Sequence, residues 1–160
     1  MRRTFTPQGW YESPIAGKVH YQSGYEKKFM AWLDSHNFNW CKCKEKFPYV
    51  DVNGKTRRYN PDIYLPDHDL YVEVKGMIRM NDPLKFQAFP EDKRLVLLGA
   101  EELTSLGLEV FDPGKVSRAP GNHWPNKILD QIPDYNQVGE LSPELKERLS
   151  QDVHIFKEAL

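Results

Sequence analysis

An α/β fold with a mixed central β-sheet flanked by helices is what three patterns in this chain predict. Apolar side chains recur at helical spacing over residues 24–36, and residues 44–75 read as short strands joined by turns. Arg94-Leu95-Val96-Leu97-Leu98 is an apolar run of the length of a buried strand. At 160 residues the chain can bury one sizeable core without staples.

Taken in order, residues 1–22 set Pro7, Gly9, Pro14 and Gly17 among Trp10, Tyr11 and Tyr21, which predicts an irregular N-terminal arm tied down by aromatics. Tyr25, Phe29, Trp32 and Leu33 form the apolar stripe of helix 24–36. Ser23 is its expected N-cap, and Glu26 stands where a capping-box acid belongs and the helix dipole favours negative charge. Strands near 44–52 and 56–65 flank the hairpin signal Asn53-Gly54, and a strand at 70–75 completes an antiparallel meander. Asp82-Pro83 resembles an N-cap followed by proline at the first helical position, with Leu84, Phe86 and Phe89 packing that helix on the sheet. Such a crossover makes strand 94–98 parallel to 70–75. A short helix at 100–106 and a strand at 108–111 extend the layers. Residues 112–140 turn proline-rich and read as a wrap or linker. Ser142-Pro143-Glu144 then starts a final helix whose stripe of Leu145, Leu149, Val153 and Phe156 is a core-packing device, with dimerisation as the alternative. The expected organisation is an arm at 1–22, a core at 23–112, and a segment at 113–160 that wraps and packs on the core or a partner.

Hydrophobic residues at 39% and charged residues at 28% are ordinary for a soluble globular protein. No apolar stretch approaches the roughly 20 residues of a membrane span. Met1-Arg2-Arg3-Thr4 lacks a signal-type apolar region, so a cytoplasmic setting without membrane partners is expected. Cys41 and Cys43 would share one strand face, where a disulfide is strained, and two cysteines fall short of a zinc site; free thiols are expected. The five histidines share no ligand spacing, and the lack of a glycine-rich phosphate loop argues against a nucleotide cofactor. The net charge of −1 gives no global sign of nucleic-acid affinity. Its distribution does: Lys42, Lys44, Lys46, Lys55, Arg57 and Arg58 fall within 41–60 against only Glu45 and Asp51. Lys55, Arg57 and Arg58 are the preferred contacts to a DNA backbone.

The strongest chemical signal is a pair of short motifs, Pro61-Asp62 and Glu73-Val74-Lys75-Gly76. Alternation on the second strand puts Glu73 and Lys75 on one face with Tyr71, and Val72 and Val74 on the other. Hairpin pairing would bring Asp62 near Glu73. Carboxylate oxygens suit Mg2+ or Mn2+, which can hold a phosphate oxygen and an attacking water together. Lys75 could orient the nucleophile, help deprotonate it, or stabilise the transition state. Read alone, each fragment is an ordinary solvated strand face.

Together, Ser23-Gly24-Tyr25-Glu26, Phe47-Pro48-Tyr49-Val50, Tyr59-Asn60-Pro61-Asp62 with Leu65-Pro66, and Tyr71-Val72-Glu73-Val74-Lys75-Gly76 resemble the PD-(D/E)XK nuclease superfamily. The pattern is most similar to the phage endonuclease I group of Holliday-junction resolvases, over residues 21–76. The resemblance implies a restriction-endonuclease-like core in which Asp62, Glu73 and the Val74 backbone carbonyl bind one or two Mg2+ or Mn2+ ions. It makes Lys75 the catalytic lysine and Glu26 a contributor to the metal site through water or a second ion. Gln87 matches a supporting polar position, with a solvated helix face as its other reading. The implied activity is metal-dependent DNA endonuclease, foremost a branched-DNA resolvase, which predicts a homodimer. The alternatives are a site-specific or homing nuclease, a phage head-completion or DNA-end-processing nuclease, and, in another class, a noncatalytic DNA-binding or assembly protein on the same fold. Past residue 98 the resemblance ends, so substrate choice stays open.

Overall fold

A computed structural model describes residues 8–110 and 139–160. The arm is more regular than expected: β1 (Gly9–Ser13) and β2 (Gly17–Tyr21) pair as an antiparallel hairpin. Its turn closes because the Ser13 hydroxyl accepts the N–H groups of Ile15 and Ala16, and Gly17 takes φ +81°. Asp34 ties the hairpin down by accepting from the Tyr11 hydroxyl, from Ser13 at 2.7 Å and from the Trp40 indole at 2.9 Å. Tyr11 pins the arm as expected, whereas Trp10 is exposed and the backbone is a regular hairpin rather than irregular. Residues 1–7 of the arm lie outside the described residues.

Helix α1 (Gly24–Ser35) starts at the expected cap, Ser23 accepting the Glu26 N–H at 3.2 Å. The strands that follow are β3 (Cys41–Lys42), β4 (Phe47–Val50), β5 (Thr56–Tyr59), β6 (Ile63–Leu65) and β7 (Leu70–Val74). Helix α2 (Asp82–Gln87), strand β8 (Arg94–Leu98), helix α3 (Ala100–Ser105) and, after residue 138, helices α4 (Pro143–Ser150) and α5 (His154–Lys157) complete the described elements. The central sheet runs β3-β6-β7-β8, with β8 parallel to β7 and the other pairings antiparallel. This is the mixed sheet the sequence predicts.

The long strand expected at 44–52 is shortened to β4, and the one expected at 56–65 is broken into β5 and β6. β4 and β5 form a separate two-stranded sheet, so the meander is interrupted. The break has a local cause: Pro61 lacks a ladder donor, and the Asn60 amide donates to the carbonyls of Cys43 and Glu45 at 2.9 and 2.7 Å. The β4–β5 turn is also wider than Asn53-Gly54 alone. The Asp51 carboxylate accepts the Asn53 and Lys55 N–H groups, and Gly54 sits at φ +81°.

Side-chain alternation divides the core cleanly. Ile63, Leu65, Leu70, Val72, Val74, Val96 and Leu98 face α1, α3 and α5, whereas Tyr71 and Leu95 face α2, α4 and the β4–β5 hairpin. The expected single C-terminal helix is two: Leu145 and Leu149 of α4 enter one core layer, while Val153 and Phe156 enter the other. One straight helix could not reach both faces. The whole stripe is buried within the chain, so it serves packing and leaves no apolar face there for a dimer. Asn81, not Asp82, is the N-cap residue of α2. Residues 108–110 are irregular rather than strand, and residue 111 and most of the proline-rich wrap lie outside the described residues. Cys41 and Cys43 are free, and burial pushes the Cys43 thiol up to about 11. Among the described residues no helix is long and apolar enough to cross a membrane.

Phe29 is fully buried, 5.9 Å from the Trp32 ring and edge-on to Phe156 at 5.3 Å. Phe29→Ala is expected to remove about 3–5 kcal/mol of stability. Urea unfolding checks this; a loss below about 1 kcal/mol would place Phe29 outside the cooperative core.

Candidate active site

The site is built at the end of β7. Ile63 is the first β6 residue and pairs with Val72, so Asp62 lies just beyond the ladder. Its Oδ2 accepts the Val74 N–H at 2.8 Å, replacing the backbone partner a longer β6 would have supplied. The N–H and carbonyl of one strand residue point to the same neighbour, so the Val74 carbonyl opens towards Asp62 as well. The Lys75 N–H bonds instead to Leu98 on the opposite side, at 3.0 Å.

Alternation carries Glu73 to the α2 layer. Glu73 is buried, and its Oε1 accepts the Tyr59 hydroxyl at 2.7 Å while Oε2 stands 3.8 Å from Lys75 Nζ. Lys75 Nζ also lies 3.5 Å from Oδ2 of Asp82, whose other oxygen is 3.3 Å from Lys85 Nζ. Asp82 is 1% exposed and is held by the Arg79 N–H at 2.8 Å. From the other layer comes Glu26 of α1, 3% exposed, with Oε1 accepting the Gln22 N–H at 2.7 Å and Oε2 bound to Lys42 Nζ at 3.0 Å. Gly76 permits the close approach of α1, since a Cβ there would stand 3.2 Å from the Tyr25 ring.

Burial, then the charges of Glu73 and Glu26, push the Asp62 carboxyl well above the usual carboxylate range, against the Val74 N–H and Lys42. Glu73 is raised too: its burial outweighs the Lys75 ammonium, the Tyr59 hydrogen bond and Lys85, and Asp82 adds repulsion. Burial and Glu73 hold the Tyr59 phenol well above its ordinary value, so it is a neutral donor to Glu73. Carboxylates crowded in this way are relieved by a cation. Among the described residues no three His, Cys, Asp or Glu side chains form a metal-enclosing group. The oxygens that could hold Mg2+ or Mn2+ here are those of Asp62, Glu73 and the Val74 carbonyl, since these ions keep several waters and need few protein ligands.

The structure thus brings together Glu26, Asp62, Glu73 and Lys75. Gln87 is exposed and belongs to the solvated face of α2; the polar groups that α2 gives the site are Asp82 and Lys85. His68 occupies the β6–β7 turn, at the opposite end of that hairpin from Asp62 and Glu73. Lys42, from the basic cluster, and Tyr59, from the Asp62 motif, also line the site, as do Asp82 and Lys85, which the sequence marks only as part of a helix start. The i,i+3 spacing of Asp82 and Lys85 was the one available signal, since it places both on one helix face. Lys55, Arg57 and Arg58 are all exposed on the β4–β5 hairpin, but the Arg57 Nε is 2.6 Å from Asp51 Oδ2. That guanidinium, with the Lys55 and Asn53 N–H groups, holds the Asp51 carboxyl below the usual range, so Arg57 locks the turn.

Over 74 residues the chain is 32% identical to the head completion nuclease of Enterobacteria phage T4, a match covering 42% of this chain and 49% of that protein. The chain therefore spans about half the length of the curated relative it matches. No family model and no solved structure matches it.

Proposed function

We propose that this chain is a Mg2+- or Mn2+-dependent nuclease of the PD-(D/E)XK type that hydrolyses DNA phosphodiester bonds, in a head-completion or DNA-end-processing role. The observation that carries the reading is the convergence of Asp62, Glu73 and Lys75 at the end of β7, with Glu26 behind them. A mixed sheet flanked by helices supports the restriction-endonuclease-like core. The resolvase expectation rested on motif pattern alone, whereas the similarity to a head completion nuclease favours the end-processing alternative. The host cytoplasm is then the working compartment.

A divalent ion bound at Asp62 and Glu73 would supply a Lewis acid for the scissile phosphate and lower the pKa of its water. The protein's own part is positioning. The Val74 N–H fixes Asp62, and Tyr59 holds one oxygen of Glu73 so that the other faces Lys75. Glu73 and Asp82 clamp the Lys75 ammonium between them, where it can donate to a phosphate oxygen or to the attacking water.

The test is cleavage of matched blunt, overhanging, supercoiled, single-stranded and four-way-junction DNA in Mg2+, Mn2+ and chelator. Metal-dependent cutting that favours linear ends is expected. Junction preference would return the resolvase reading, and no metal-dependent cutting of any DNA would overturn the nuclease. For the DNA path, Lys55→Ala/Arg58→Ala is expected to weaken binding and flatten its log–log salt slope by about 1.8, roughly 0.9 per lost phosphate contact. An unchanged slope moves the path off the hairpin.

A further inference from the structure

We propose that Lys42 takes the place of a second divalent ion: its ammonium occupies the Glu26 carboxylate, so the site accepts one Mg2+ or Mn2+, at Asp62 and Glu73. This rests on the metal-nuclease reading above and settles the ion count within it.

Both oxygens of Glu26 are committed within the protein, one to the Gln22 N–H at 2.7 Å and the other to Lys42 Nζ at 3.0 Å. A second ion at Glu26 would have to displace the ammonium. Lys42 is not there by chance rotation of a surface side chain. Its strand β3 pairs with β6 so that Lys42 lies opposite Ile63, beside Asp62, and the Cys43 N–H bonds to the Asp62 carbonyl at 3.3 Å. The Lys42 side chain keeps 28% of its surface exposed, so the same ammonium can face a phosphate while Glu26 behind it remains 3% exposed.

Charge balance agrees. Glu26, Asp62, Glu73 and Asp82 outnumber Lys42, Lys75 and Lys85 by one. One divalent ion and one phosphodiester make that enclosure neutral. The Lys42 charge also acts on Asp62, easing the repulsion there as a metal at Glu26 would.

Mn2+ binding to the full chain, counted by electron paramagnetic resonance titration without DNA, tests this. Wild type is expected to bind one ion per chain, lost in Asp62→Asn. Lys42→Met keeps the aliphatic stem and frees Glu26, so it is expected to bind two, returning to one in Lys42→Met/Glu26→Gln. Lys42→Gln is the second variant, and thermal unfolding confirms that each is folded. Two ions in wild type, or a single ion in both folded Lys42 variants, would overturn the role of Lys42 while leaving the metal-nuclease reading in place. No ion in wild type would overturn both.

Discussion

Glu73→Gln is expected to lower metal-dependent DNA cleavage on the order of a thousandfold and, at neutral pH in chelator, to raise Tm. The two effects come from one cause. Glu73 is buried among other acids, and its carboxyl is raised above the range it has in the unfolded chain. The folded state therefore holds that proton to higher pH than the unfolded state does, and stability falls as pH rises through the window between them. Gln removes this liability, and its single carbonyl oxygen still accepts from Tyr59 while its amide NH2 replaces the oxygen that faced Lys75. The Tm advantage should shrink as pH falls below about 4, where the glutamate is protonated in both states. Asp62→Asn should behave alike, its carboxyl being raised by burial and by Glu73 and Glu26. Added Mn2+ should raise the Tm of wild type by mass action and leave that of Glu73→Gln nearly unchanged. Thermal unfolding at pH 8 and pH 4 checks the sign; a variant less stable than wild type at pH 8 would contradict the account of crowded charge.

Lys75→Ala should reduce kcat by about 10²–10³, the usual scale for removing one transition-state donor. Asp82→Asn should cost about tenfold in kcat with little change in KM. Asn keeps an acceptor for the Arg79 N–H but loses the charge that holds Lys75 at 3.5 Å. Because Asp82 acts through Lys75, the loss should vanish when Lys75 is already alanine. Single-turnover rates of the four proteins decide it. A further tenfold loss in the Lys75→Ala background would assign Asp82 an independent role in the fold.

Local periodicity explains which parts of this architecture were legible. The stripe of α1 and the alternation of β7 are written directly into the chain because burial selects side chains at those spacings. The apolar run of β8 was readable as a buried parallel strand because Val96 and Leu98 enter one layer and Leu95 the other. The break between β5 and β6 was not readable, because it depends on Asn60 reaching the carbonyls of Cys43 and Glu45. The division of the last helix was hidden for a related reason: Leu145, Leu149, Val153 and Phe156 have the same period whether they serve one layer or two. At the site, Asp62, Glu73 and Lys75 are close in sequence and converge through a single hairpin. Lys42 and Glu26 meet only because β3 joins β6, and Asp82 reads equally well as a cap until α2 is seen against Lys75.

The most direct test of the central claim, that Asp62 and Glu73 form a metal-dependent catalytic centre, uses end-labelled linear duplex DNA with the purified chain in Mg2+ and in EDTA. Asp62→Asn and Glu73→Gln are assayed alongside, with DNA binding measured in parallel. Wild type should cut only in Mg2+, and both variants should bind DNA as wild type does without cutting. Cutting that persists in EDTA, or survives in both variants, would contradict the account.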